Sequence, residues 1–173
     1  MIKSRFSNKT ILITGAGTGM GRASALRLAK ESAQLVILGR RLEPLENLAL
    51  EVESFGGKVI ALSCDVTDEE AVSLAVNKAI NHFGQLDGVF ANAGVLGDFK
   101  PLQDTDITEM ESLIATNIRG TFLTLKHCLS MMQSGCVLIN ASWTANAVMP
   151  GAGAYAATKG ALLAMMKTLA VEQ

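Results

Sequence analysis

Five short apolar runs, at residues 9–14, 34–39, 58–63, 86–91 and 135–141, punctuate the chain with few polar interruptions. A strand with one wet face alternates apolar and polar residues, whereas a near-continuous apolar strand must be covered on both faces. The segments between the runs supply that cover. Val72, Ala75, Val76, Ala79, Ile80 and Phe83 recur at three- and four-residue steps with polar residues opposite, the stripe of an amphipathic helix. Thr67 and Glu70 stand before it at capping-box spacing, which predicts where it begins. Leu45, Leu48, Ala49, Val52 and Phe55 form a second stripe, ended by Gly56 and Gly57. Residues 22–33 and 153–170 also read as helices. Repeated strand–helix–strand units with short links imply right-handed crossovers and a three-layer, doubly wound parallel α/β sheet. With no linker, low-complexity stretch or repeat, residues 1–173 read as a single domain.

Composition narrows the function classes. Apolar residues make up 49% of the chain and charged residues 18%, a balance that fills a core and excludes disorder. Fifteen basic residues oppose sixteen acidic ones, leaving no basic excess to grip a nucleic-acid backbone. Cys64, Cys128 and Cys136 include no Cys-x-x-Cys pair and cannot all be paired, which points to a reducing, cytoplasmic setting. The first ten residues carry Lys3, Arg5 and Lys9 but lack the apolar run of a signal peptide. Residues 127–158 contain no Asp, Glu, Lys or Arg, yet Gln133, Asn140, Asn146 and Pro150 interrupt them, so no bilayer span is expected. That stretch reads as buried interior plus a site. Metal-ligand spacing is absent, and His82 and His127 read as packing or surface residues on helices.

The run at 9–14 leads straight into Gly15-Ala16-Gly17-Thr18-Gly19-Met20-Gly21, and a helical pattern follows. Glycines there let the backbone approach a pyrophosphate without Cβ clashes, and the helix N-terminus offers free N–H groups and a positive dipole end. The literal GxGxxG spacing is absent; the pattern is Thr-Gly-x-x-x-Gly-x-Gly. A tight turn with purely structural glycines is the alternative. Four glycines in seven residues, between the first strand and the first helix, favour a dinucleotide cradle.

On these residues the sequence resembles the short-chain dehydrogenase/reductase family. The family's TGxxxGxG motif matches Thr14, Gly15, Gly19 and Gly21, and its acidic residue after the third strand matches Asp65. Its Asn-Asn-Ala-Gly motif appears as Ala91-Asn92-Ala93-Gly94, with the first Asn replaced. Its active-site Asn, Ser, Tyr and Lys map onto Asn117, Ser142, Tyr155 and Lys159. Twelve residues separate Ser142 from Tyr155 and three separate Tyr155 from Lys159. The resemblance implies a Rossmann-type NAD(P)-binding domain. In it Gly15, Thr18, Gly19, Met20, Gly21, Arg40, Arg41, Asp65, Val66, Asn92, Ala93, Gly94, Tyr155 and Lys159 contact the cofactor. It also implies a homodimer or homotetramer assembled through the helices around 117–132 and 153–170. Family members continue with a further strand, a substrate loop, and a last strand and helix. A chain ending at Gln173 therefore reads as a domain cut short after the helix that carries Lys159, lacking one wall of the substrate pocket.

The same residues make chemical sense apart from the family. Tyr155 and Lys159 stand four apart in a helical segment and share one face. A free phenol titrates near pH ~10, and a neighbouring ammonium lowers that by roughly 1–3 units, towards the range useful for acid–base catalysis. Lys159 can also donate to ribose hydroxyls. Ser142 follows the last apolar run at the edge where open α/β sheets bind ligands, and its hydroxyl can donate to a carbonyl oxygen gaining charge. A turn serine bonding its own backbone is the alternative, and Thr144 is a substitute hydroxyl. Asn117 lies within a long helical region, where an Asn marks a kink or a new cap. The resemblance implies a helix distortion there, with a carbonyl holding a water linked to Lys159.

Cofactor choice turns on the end of the second run. An acid there would bind the 2′-hydroxyl of NAD; the chain instead has Leu38-Gly39-Arg40-Arg41, and guanidinium groups grip phosphate. NADP(H) is the expected cofactor, with NAD(H) the second choice. The expected activity is hydride transfer between nicotinamide and a small-molecule carbonyl or secondary alcohol, with Tyr155 as acid/base. A non-catalytic dinucleotide-binding scaffold or sensor is the alternative, and a sugar-nucleotide epimerase or dehydratase a third reading. Leu96, Trp143, Val148 and Met149 are either the apolar surroundings of a substrate or core.

Overall fold

The computed structural model describes residues 4–173, so Lys3 lies outside the described residues. Strands β1 (Thr10–Thr14), β2 (Gln34–Gly39), β3 (Lys58–Ser63), β4 (Gly88–Ala91) and β5 (Cys136–Ile139) each fall inside one of the five apolar runs. They form one parallel sheet in the order β3-β2-β1-β4-β5. The chain walks outward from β1 to β3, then returns to the other side of β1 to lay down β4 and β5. That reversal opens a crevice at the C-terminal ends of β1 and β4, where doubly wound sheets bind ligands.

Helices α1 (Gly19–Lys30), α2 (Leu42–Ser54), α3 (Glu69–Phe83), α4 (Ile107–Leu113), α5 (Gly120–Leu129) and α6 (Gly153–Glu172) flank the sheet. Because strand side chains alternate, each strand feeds two cores. Ile11, Ile13, Leu35 and Ile37 pack with Ala25, Ala29, Leu45, Leu48 and Val52 of α1 and α2. Leu12, Val36 and Leu38 point the other way, onto Val72, Val76 and Ala79 of α3 and Leu123 and Cys128 of α5. Burying each such aliphatic side chain contributes about 1.5–3 kcal/mol relative to leaving it in water. Buried Glu31, just past α1, accepts hydrogen bonds from Arg5 and Arg27, which hold its carboxyl down to about 2.

Three expectations are corrected. The first helix starts at Gly19, inside the glycine motif rather than at residue 22, and stops at Lys30, because Ser32 takes a positive φ of 72°. Thr67 does not cap α3. Asp68 does, accepting from the backbone N–H groups of Glu70 and Ala71, while Thr67 turns its hydroxyl to Asp65 at 2.9 Å. The carboxylate of Asp68 takes two orphan donors at once, so it wins the cap position.

The third correction concerns the uncharged stretch at 127–158. Cys128, Thr144, Ala152, Ala154 and Thr158 are buried, but Leu138 is 57% exposed, Trp143 63% and Val148 91%. β5 is an outer strand, paired only with β4 in the described sheet, so its side chains are not sandwiched as those of β1 are. Leu96 and Met149 are exposed as well, so these residues with Trp143 and Val148 are not core.

Candidate active site

The crevice is a cleft of about 720 Å³ that runs across the sheet edge, within the roughly 300–1,000 Å³ typical of ligand sites. One end is the turn after β1. Gly15 and Gly19 take φ values of +63° and +54°, a left-handed backbone that side chains resist. Gly21 is needed for closeness: a Cβ there would lie 2.4 Å from the Gly15 carbonyl oxygen. α1 then begins with an uncapped N-terminus. Thr18 makes no side-chain cap, and the first turn contains no acidic residue, so free N–H groups and an uncompensated positive dipole end are left at the cleft. Arg40 and Arg41, at the end of β2, line the same region.

The turn is braced from behind. The Thr14 hydroxyl accepts from the N–H groups of Asn92 and Ala93, both at 3.0 Å, and Asn92 Nδ2 donates to the carbonyls of Thr14 and Gly15. Asp65 also borders the cleft, with one oxygen accepting the backbone and hydroxyl of Thr67, each at 2.9 Å. Those bonds, led by the backbone N–H, hold its carboxyl below the usual range. Cys64 lies beside it, and burial pushes its thiol up to about 11, so it stays protonated at neutral pH.

The other end carries Tyr155 and Lys159, one turn apart on α6. Lys159 is buried, its ammonium 5.6 Å from the centroid of the Tyr155 ring and 2.7 Å from the carbonyl oxygen of Asn140, to which it donates. Burial alone pulls the ammonium below the ordinary lysine range. Gly94 leaves the approach open: a Cβ there would lie 3.4 Å from Lys159 Nζ and 3.1 Å from Asn117 Oδ1.

Asn117 is fully buried, in a π-helical segment (Ile114–Arg119) that joins α4 to α5. A π-turn widens a helix by one residue, the distortion expected at this position. The Asn117 side chain accepts from the Val95 N–H at 2.8 Å and donates to the Val95 carbonyl and to Thr158 Oγ1. Thr158 in turn donates to the carbonyl of Tyr155 at 2.7 Å. The buried carboxamide thus ties the loop after β4 to the helix carrying the tyrosine.

Of the sequence candidates, Gly15, Thr18, Met20, Arg40, Arg41, Asp65, Val66, Asn92, Ala93, Gly94, Tyr155 and Lys159 line one cleft. Gly19, Gly21, Asn117 and Ser142 do not line it. Ser142 caps the short 3₁₀ turn Trp143–Ala145: its Oγ accepts the Thr144 N–H at 3.2 Å and the Thr144 hydroxyl at 2.8 Å. Both lone pairs are then engaged, which leaves its own hydrogen to donate. Sequence reasoning missed Asn140, whose signal was a polar side chain at the end of an apolar run. Among the described residues, no three His, Cys, Asp or Glu side chains gather as a metal site.

Residues 9–173 match the family model described as short chain dehydrogenase. The chain belongs to that family of oxidoreductases. It is 34% identical over 174 residues to levodione reductase of Leifsonia aquatica, a match covering 98% of this chain and 65% of that protein. The crystal structure of a 3-ketoacyl-ACP reductase from Sinorhizobium meliloti superposes with a TM-score of 0.91 at 41% identity, over 94% of this chain and 66% of that one. NAD+-bound xylitol dehydrogenase gives a TM-score of 0.94 at 35% identity, over 97% of this chain and 66% of that one. The short-chain dehydrogenase described here thus spans about two thirds of the length of these relatives. No described helix is long and apolar enough to cross a membrane.

Proposed function

We propose that the protein is an NADP(H)-dependent oxidoreductase that interconverts a carbonyl and a secondary alcohol, with Tyr155 as acid/base. The observation that carries this reading is the pairing, in one cleft, of an anion-ready glycine turn with a tyrosine beside a buried ammonium. The cleft fits a dinucleotide. The turn and the open start of α1 suit a pyrophosphate, Arg40 and Arg41 a ribose phosphate, Asp65 the adenine side, and Lys159 ribose hydroxyls. When bound, the nicotinamide supplies or takes the hydride.

The chain's own groups do the rest. In the reducing direction the Tyr155 hydroxyl gives its proton to the substrate oxygen as charge builds there, and the Ser142 hydrogen donates to the same oxygen. Lys159 stabilises the phenolate left behind, and its buried position strengthens that interaction relative to water. Asn117 acts through structure: it holds the loop at Val95 against Thr158 and so fixes the turn of α6 bearing Tyr155. The exposed apolar residues Leu96, Trp143 and Met149 near this end suit a carbonyl compound with an apolar body.

The tandem arginines favour NADP(H), although the solved xylitol dehydrogenase carries NAD+. Exposed Ile114, Phe122 and Met166 on the π-helical segment, α5 and α6 support assembly as a homodimer or homotetramer. Three free thiols support a cytoplasmic setting. Trp143, the only tryptophan, adjoins Ser142 and reports on the site. Saturable quenching of its fluorescence by NADPH, tighter than by NADH, is the expected result. Quenching by neither cofactor in the folded protein would overturn the reading.

A further inference from the structure

In the sequence Asn140 only interrupts an apolar run; in the structure it follows β5 directly and lines the cleft beside Lys159. Its backbone and its side chain have separate partners. The peptide carbonyl receives the Lys159 ammonium at 2.7 Å. The carboxamide donates from Nδ2 to Asn92 Oδ1 at 2.9 Å. Asn92 is itself committed, because both of its Nδ2 hydrogens go to carbonyls, those of Thr14 at 3.0 Å and Gly15 at 3.1 Å. Turning the Asn92 amide over would set its oxygen against two carbonyl oxygens, so its orientation is fixed. Asn140 must then present its NH2 group to Asn92, and its backbone is held with it. One unbroken series of hydrogen bonds runs from the glycine turn through two carboxamides to the buried ammonium.

We propose that Asn140 is a positioning residue for Lys159: its carboxamide, locked by Asn92 to the glycine turn, aims the peptide carbonyl that receives the ammonium. The inference rests on the reading of the cleft as a dinucleotide site and adds to it. An ammonium has three donors; one is spent on Asn140, which leaves two for ribose hydroxyls. The strut also makes the two ends of the cleft interdependent. A cofactor phosphate that settles the glycine turn settles the lysine as well. Tyr155 is the titratable side chain beside Lys159. The side chains facing it from the end of β5, the loop after β4 and the π-helical segment are the uncharged Asn140, Asn92 and Asn117.

The test is the pH dependence of NADPH affinity, measured by calorimetry on the whole chain. In the wild type, affinity falls at alkaline pH as Lys159 loses its proton. In Asn140→Ala the carbonyl is no longer held, the ammonium loses a fixed acceptor, and this limb moves to lower pH by about half a unit or more. Asn140→Asp keeps the volume and the backbone but adds a negative charge nearby, so the limb moves to higher pH by a similar amount. Mere loosening of the fold would weaken binding at every pH and displace the limb in neither variant. Wild-type binding with both limbs unmoved overturns the inference and leaves the cofactor reading standing. Should the Ala variant fail to fold, the isosteric Asp variant decides alone. No NADPH binding by the folded wild type overturns both.

Discussion

The two ends of the cleft are built on different principles. At the glycine turn and β1 the work is done by backbone: left-handed glycines, free N–H groups at the start of α1, and carbonyls braced by Thr14 and Asn92. Every residue of β1 is buried, and the turn follows from strand geometry. At the tyrosine end the work is done by side chains on α6, held by long-range contacts from the π-helical segment and from the end of β5. The strand beneath it is an outer one, with apolar residues in the open. A backbone site tolerates little change in shape but much change in side-chain chemistry. A side-chain site behaves the other way.

That contrast can be broken in stages. Tyr155→Phe keeps the shape and removes one hydroxyl, so NADPH should bind as before while turnover of a carbonyl substrate falls roughly 10²–10⁴-fold, the span of acid–base catalysis. Steady-state kinetics beside calorimetry checks it, and turnover within a few-fold of wild type would remove Tyr155 from the mechanism. Arg40→Asp changes charge at the other end, and should shift the NADPH-to-NADH preference by about 10–100-fold, the worth of a charge-assisted hydrogen bond. An unchanged ratio of dissociation constants would take the phosphate away from Arg40.

Gly21→Ala tests shape where charge is irrelevant. Its Cβ would meet the Gly15 carbonyl oxygen at 2.4 Å, so the turn must shift. A loss of about 1–3 kcal/mol in chemical denaturation is expected, accompanied by weaker NADPH binding. Stability equal to wild type would show that the turn has slack. The smallest effect belongs to the exposed side: Val148→Ser, at a residue 91% exposed, should leave stability within about 0.5 kcal/mol. A larger loss would mean that Val148 is covered in solution.

The sequence was most legible where structure is local. All five strands lie within their apolar runs, and the stripes of α2 and α3 face the cores as their periodicity requires. The glycine turn was legible because its shape excludes other residues. The tyrosine end was legible only in part. Tyr155 and Lys159 sit one helical turn apart, but nothing local says which cleft they enter or that Asn140 receives the lysine. Those facts depend on strand order, which pairs residues far apart in sequence. The uncharged stretch at 127–158 misled because absence of charge was taken for burial. In an outer strand and the turns after it, apolar residues can lie open.

The π-helical segment at Ile114–Arg119 turns residue count itself into a structural constraint. Loops absorb a deletion by taking a shorter path, but a helix cannot. Removing one residue here would relax the wide turn towards an ordinary α-helix. Everything after it would then be turned by about 100° relative to α4. Leu123, Leu125 and Cys128 would leave the core together, and Asn117 could no longer meet both Val95 and Thr158. Insertions and deletions should therefore be tolerated in the loop that precedes α4 and excluded from 114–128, a stretch whose length matters as much as its composition.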